Sequence, residues 1–262
     1  MRNLRLTLLA GRLSFRALFS WNTPSLFLSV LVITPILQMV FFVLLGSSLD
    51  YKNGMFFVIG ASLQGATSAS VAGLVGVIAE ERRFGTLTFL MLSPASRIAV
   101  FVGKLLPGLG FAAGVSIFTS TLGFLVAGWP MDLTKSLEYL LVILAASFSG
   151  AALGLMLSAF GLIYRDIFQI ASAMQFVLLL VTGATVDSAD LPRWVQIIGQ
   201  GMPLTHAIEA ARGLANDATG THRYLVLMLS EIFVGLFWLF VALCLMKLLE
   251  VKAKRDATIE LY

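Results

Sequence analysis

Few residues in this 262-residue chain are of a type that could do chemistry. There are two histidines, His206 and His222, and one cysteine, Cys244, so no disulfide can form within the chain. His206 and Glu209 stand in an H-x-x-E spacing, but an inverted zincin places a second histidine next, where this chain has Ala210. A metal centre is therefore not expected. The one Gly-Lys pair, Gly103-Lys104, has Ile98 where a phosphate-binding loop needs its first glycine and Leu105 where it needs Ser or Thr. The chain is expected to hold no nucleotide and no cofactor of its own.

What remains is a thin set of polar groups in apolar surroundings. Glu231 is the one acid inside a long apolar run, and an ionisable group in such a position marks a functional site by default. It either faces a translocation path or pairs with a polar group on another helix; nearer the interface, water or Arg223 would reach it. Gln38, Gln64, Ser68, Gln169, Gln175 and Thr182 either contact cargo or hold helices together by hydrogen bonds. Their sparseness among Phe, Leu and Met points to an amphiphilic or lipid-linked cargo. His206, Glu209 and Arg212 form a candidate polar network, with Glu209 and Arg212 three apart on one helical face, serving an outer gate or an ordinary surface ion pair.

The elements that position these groups follow from composition. The chain is 58% hydrophobic and 12% charged, with a mean hydropathy of +0.93, whereas a soluble domain carries about 25% charged residues. Charge-free windows of membrane-crossing length run over Leu26–Gly46, Met55–Ala79, Leu105–Gly128, Tyr139–Phe160 and Ile167–Val186, and a sixth, Tyr224–Met246, contains only Glu231. None shows the polar stripe of a soluble core helix. The expected fold is an all-α membrane protein with six spans in a single domain, 1–262. No histidine or aspartate lies in a span, which argues against intramembrane proteolysis.

An even count places both termini on one side. That side collects thirteen of the eighteen basic residues, leaving Lys52, Lys135, Arg193, Arg212 and Arg223 opposite. The positive-inside rule makes the richer side cytoplasmic. The net charge of +4 is thus topological, and no basic face with interleaved aromatics suggests nucleic acid.

Three smaller pieces lie between or before the spans. In residues 1–22, Arg2, Arg5, Arg12 and Arg16 fall within roughly 80° of a helical wheel, the pattern of a helix lying flat on an anionic leaflet. Arginines interrupt every candidate core of a signal peptide there. Residues 80–97 open on four charges, Glu80, Glu81, Arg82 and Arg83, then run through Phe84-Gly85-Thr86-Leu87 and a leucine-rich stretch ending at Pro94, and close on Arg97; they read as a short surface helix or as a basic loop. Residues 187–223 contain two short apolar helical pieces near prolines, with Asp190 placed to cap the first, and they fit a pair of helices dipping into the outer leaflet. Gly110 and Gly114, and Gly150 and Gly154, have the spacing that lets helices approach closely, within one subunit or between two.

In this order the pieces resemble the type-2 ABC export permease family, the membrane subunits of type V ABC exporters. The likeness rests on Glu81 through Leu87 with Leu92-Ser93-Pro94, on Tyr164-Arg165-Asp166, and on Leu191-Pro192 with Trp194 followed by Pro203-Leu204-Thr205-His206 and Glu209 to Arg212. The resemblance implies a permease that dimerises with a second copy or a paralogue in a prokaryotic inner membrane, among lipids. Two cytoplasmic ATPase subunits would hold ATP and Mg and would seat Glu80–Pro94 as a coupling helix. Residues 1–22 would be an interface helix; spans one, two and five would line the path, and the short outer helices would form the gate. The Tyr-Arg-Asp turn is more typical of glycan exporters and the GTL-SP segment of drug-type members, so the cargo class stays open. A secondary transporter or channel is the competing reading, but it would want inverted repeats, broken midplane helices or charged rings.

Overall fold

The computed structural model describes residues 11, 33–49, 54–83, 97–128, 132–161, 164, 166–216 and 220–255. Among them are eight α-helices, one 3-10 turn and no strand. In chain order the helices are α1 (Thr34–Leu49), α2 (Gly54–Arg83), α3 (Arg97–Ala127), α4 (Leu133–Phe160), α5 (Ile167–Val181), α6 (Arg193–Gln200), α7 (Thr205–Ala215) and α8 (Thr221–Arg255).

Four of these helices are long and apolar enough to cross a membrane, over Gly54–Gly76, Leu105–Val126, Leu133–Phe160 and Thr221–Leu248. They coincide with the second, third, fourth and sixth expected windows, so the chain is a multi-pass helical membrane protein. At the first and fifth windows stand shorter apolar helices, Ile36–Leu45 and Ile167–Val181. The fifth window was expected to continue to Val186; instead α5 stops at Val181. Thr182 caps it, its hydroxyl and its N–H both donating to the Leu178 carbonyl, and Gly183 at φ +81° then turns the chain.

Helices that are apolar all round are buried by one another. In α2 and α4, 78% of the apolar window is buried, against 39% in α3 and 33% in α8, which makes α2 and α4 the central pair. Their contact is made by glycine. A Cβ on Gly154 would lie 3.0 Å from the Val71 Cα, and one on Gly150 would lie 2.7 Å from the Thr67 hydroxyl. On the other side of α4, Gly235 of α8 sits against Phe148 and the Ser149 Cα. Gly150 and Gly154 thus serve packing within the subunit, while a methyl on Gly110 or Gly114 of α3 would meet nothing within 4 Å. Hydrogen bonds between Ser120 and Tyr139 (3.0 Å) and from Tyr224 to the Glu138 carbonyl (2.9 Å) tie α3 and α8 to α4.

Two expectations about the connecting pieces change. Glu80–Arg83 belong to the last turn of α2, so the charged cluster starts as a continuation of a span; residues 84–96, including Phe84, Gly85, Thr86, Leu87 and Pro94, lie outside the described residues, as does the 1–22 helix apart from Gly11. Asp190 does not cap α6. It closes a 3-10 turn, Ser188–Asp190, that Asp187 caps by accepting the Ala189 N–H, and Pro192 occupies the N-cap of α6.

A glycine-to-alanine pair tests the central packing. Gly154→Ala should destabilise the purified protein by about 1–3 kcal/mol, since the added methyl meets backbone, and lower its thermal unfolding midpoint. Gly114→Ala should leave the midpoint unchanged or raise it through helix propensity; equal midpoints for the two variants would remove the α2–α4 assignment.

Candidate functional site

His206, Glu209, Arg212 and Glu231 gather around the short helix α7, beside the start of α2, the end of α5 and α8. The short helix α7 is at the centre of this region, packed on α8, α4 and α2. A short helix starts with N–H groups that have no partner inside the helix, and within a membrane water cannot supply one. Here the partner is Glu231, which is fully buried. One carboxylate oxygen accepts the Leu204 N–H at 2.8 Å and the other the Ala207 N–H at 3.2 Å. The first oxygen also takes the Ser149 hydroxyl of α4 in a short contact. The carboxyl group thus does the work of an N-cap, delivered from α8, at the positive end of the α7 dipole.

The capped residue is unusual. Leu204 has φ +80°, the one non-glycine in the left-handed region among the described residues, and its side chain is fully buried. That conformation costs roughly 1–2 kcal/mol for a leucine. It turns the Leu204 N–H onto Glu231 directly after Pro203, which has no N–H to offer. The rest of the α6–α7 turn is held locally and by α8. Thr205 donates to the Gly199 carbonyl at 2.6 Å, His206 Nε2 lies 3.1 Å from the Gln200 carbonyl, and Trp238 donates to the Gly201 carbonyl at 2.9 Å.

Further along α7, Arg212 closes a different helix end. Its guanidinium donates to the carbonyls of Gly183 (2.7 Å), Ala184 (3.0 Å) and Phe56 (3.4 Å), and its Cζ lies 3.4 Å from the Phe56 ring centroid. Gly183 and Ala184 follow the C-terminus of α5, where carbonyls lack helical partners and a cation is favoured. Phe56 is in the first turn of α2. Gly60, one turn on, abuts the same Ala184 carbonyl so closely that a Cβ there would collide with it.

The expected pairing of Glu209 with Arg212 is therefore replaced by longer-range contacts. Glu209 accepts from Arg223 of α8 at 2.6 Å, in an exposed ion pair, and Arg212 turns to backbone carbonyls. Arg223 in turn serves Glu209, and Glu231 has its partners on α4 and α7. Of the residues expected to line a path, three come together: Ser68 of α2 donates to the Gln175 side-chain oxygen of α5 at 2.8 Å, and Gln64 lies 3.5 Å from the same oxygen. Gln38 is half-buried on α1 and Gln169 exposed on α5. Thr182 and Glu231, like Gln64, are fully buried, and all three are held by protein groups.

A cavity of about 480 Å³ opens beside α7, with Phe56, Ile59 and Ile208 on its apolar side and Asp187, Glu209, Arg212 and Arg223 on its charged side. Among the described residues no group of three or more His, Cys, Asp or Glu side chains could hold a metal ion. A family model described as ABC-2 type transporter matches residues 14–215, from the N-terminal segment to the end of α7. No curated protein matches the chain.

Substitution separates the capping role from a mere buried charge. Glu231→Ala leaves two N–H groups and a hydroxyl without their acceptor and should cost about 3–5 kcal/mol, seen as loss of folded protein or a large drop in unfolding midpoint. Glu231→Gln keeps one acceptor oxygen and should cost less than half as much. If the two variants unfold together, the cap is not what Glu231 provides.

Proposed function

Because the chain belongs to the ABC-2 type transporter family, we propose that it is the membrane subunit of an ATP-driven exporter that moves an amphiphilic, lipid-linked or glycan cargo, or a drug, out of the cytoplasm or inner leaflet. The observation that carries this reading is the family match itself, which runs unbroken through α1–α7 and the 80–97 segment.

In this reading the chain crosses a prokaryotic inner membrane six times, with both termini cytoplasmic, and works as a dimer with a second copy or a paralogue. Two cytoplasmic ATPase subunits bind ATP and Mg and dock on the segment from Glu80 to Pro94. The continuity of α2 with Glu80–Arg83 supports this, because a push at the docking end reaches the far end of the same rigid helix. The α7 end then faces outward, α6 and α7 dip in from that side, and the region of His206, Glu209 and Arg212 forms the outer gate. Gln64, Ser68 and Gln175 together, with Gln38 of α1 and Gln169 of α5, offer cargo the few polar contacts along an otherwise apolar route. Thr182 and Glu231 belong to the scaffold that holds this end together.

Expression with an ABC ATPase should yield a complex that copurifies in detergent. Replacing Glu81, Arg82 or Gly85 by a bulky apolar residue should reduce ATPase capture at least about tenfold, equivalent to 1.4 kcal/mol, without lowering permease yield. Undiminished capture by all three variants would overturn the docking assignment. In the reconstituted complex, ATPase stimulation across a panel of lipids, glycolipids and hydrophobic drugs identifies the cargo class; a flat response to the panel and no ATPase capture would together defeat the exporter reading.

A further inference from the structure

The cavity beside α7 is divided by chemistry. One wall is apolar, made by Met55, Phe56 and Ile59 of α2 and Ile208 of α7. The other carries charge of both signs, from Glu209 and Arg212 of α7, Arg223 of α8 and Asp187 beyond the end of α5. Its volume of about 480 Å³ falls in the range of roughly 300–1,000 Å³ for small-molecule sites, which join an apolar lining to a few placed polar groups. The spans set its depth. Met55 and Phe56 stand in the first turn of α2 and Arg223 in the first turn of α8, whose apolar spans begin at Gly54 and Thr221. The cavity therefore lies where spans end, at the level of lipid headgroups.

The charged side contains one contact that a ligand can take over. Arg223 and Glu209 meet at 2.6 Å with side chains 67% and 47% exposed. An ion pair so placed is screened by water and contributes little, so parting it costs little. Arg212 is different, because it is fastened to the carbonyls of Gly183, Ala184 and Phe56 and keeps its place. It adds a fixed cation to the same side, as Asp187 adds an acid. A ligand of a single sign meets its own sign on this wall as well as the opposite one. A ligand carrying a cation and an anion a few bonds apart finds a partner for each.

We propose that this cavity binds the zwitterionic headgroup of a phospholipid. Arg223 takes the phosphate, Glu209 takes the ammonium, and the glycerol end with the start of the acyl chains lies along Met55, Phe56 and Ile59. The headgroup replaces a water-screened ion pair by two charge-assisted contacts, and the apolar wall shelters them from solvent. The site depends on the chain's place in a membrane and goes beyond the exporter reading; it stands if that reading falls.

The test uses the full chain in maltoside detergent, titrated with dihexanoyl phosphatidylethanolamine. Binding is read from the rise in unfolding midpoint that a ligand of the folded state produces, and from lipid retained in native mass spectrometry. Dihexanoyl phosphatidylglycerol keeps the chains and phosphate but lacks the ammonium, hexylammonium lacks the phosphate, and phosphoethanolamine lacks the chains. Phosphatidylethanolamine should bind at least about tenfold more tightly than each of the three. Arg223→Gln should weaken both phospholipids about tenfold. Glu209→Gln should weaken phosphatidylethanolamine to a similar degree but strengthen phosphatidylglycerol, because a like charge has been removed. Neither substitution should move the midpoint of the lipid-free protein, since the pair is exposed. Met55→Gln should weaken the lipid and leave phosphoethanolamine unchanged. Equal affinity of the unsubstituted protein for the two phospholipids, or phosphatidylethanolamine binding untouched by both charge variants, would overturn the headgroup site. Phosphoethanolamine binding as tightly as the lipid would overturn the lipid as occupant and make this a site for a soluble zwitterion.

Discussion

A helix end buried in protein cannot be left without partners for its backbone, and the α7 end of this protein is arranged around that constraint. Four N–H groups at the start of a helix and four carbonyls at its end go unpaired within the helix itself. In water they are hydrated; in hydrocarbon each unsatisfied group is expensive. The chain meets this with its charged side chains. The carboxylate of Glu231 takes the start of α7, and the guanidinium of Arg212 takes the carbonyls beyond α5. Each satisfies backbone groups that a helix end leaves unpaired, so both polar side chains are accommodated among apolar neighbours.

Much else at this end follows from those two placements. Leu204, whose N–H meets Glu231, takes a left-handed conformation at the start of α7, and Ser149 of α4 donates to the same carboxyl group. Gly183 is needed where it is because the carbonyls that meet Arg212 have to be turned inward directly after a helix stop. Gly235, one turn beyond Glu231 on α8, allows that helix to sit on the α4 backbone at Ser149. The short helix is therefore less an appendage of the bundle than the piece through which four of its helices are joined.

The long apolar helices can be read from the sequence because absence of charge over about 20 residues has a single physical meaning. Their ends are less readable. The fourth helix begins at Leu133, ahead of Lys135 and Glu138, and the second runs through Glu80–Arg83, because a helix does not stop where hydrocarbon stops. Short-range rules misled at Asp190, where a 3-10 turn takes the place of a cap, and at Glu209 and Arg212, where an i, i+3 spacing gave way to Arg223 and to three carbonyls. Glu231 was visible as an anomaly, but its partners were not, since two of the three are backbone groups that leave no mark on residue type. Nothing local marks a leucine for positive φ either.

The unbroken course of α2 has a mechanical consequence. Gly60 and Arg83 are separated by 23 residues of one helix, a rod of about 35 Å. A rod of that length pivoting about its Arg83 end converts a tilt of about 5° into a sideways displacement of about 3 Å at Gly60, comparable to the helix shifts that separate functional states of other proteins. Gly60 is where α2 meets the Ala184 carbonyl with no room to spare. The tightness of that seat and the length of the lever together mean that a small rotation about the Arg83 end is large enough to unseat α2 from its neighbour at the opposite end.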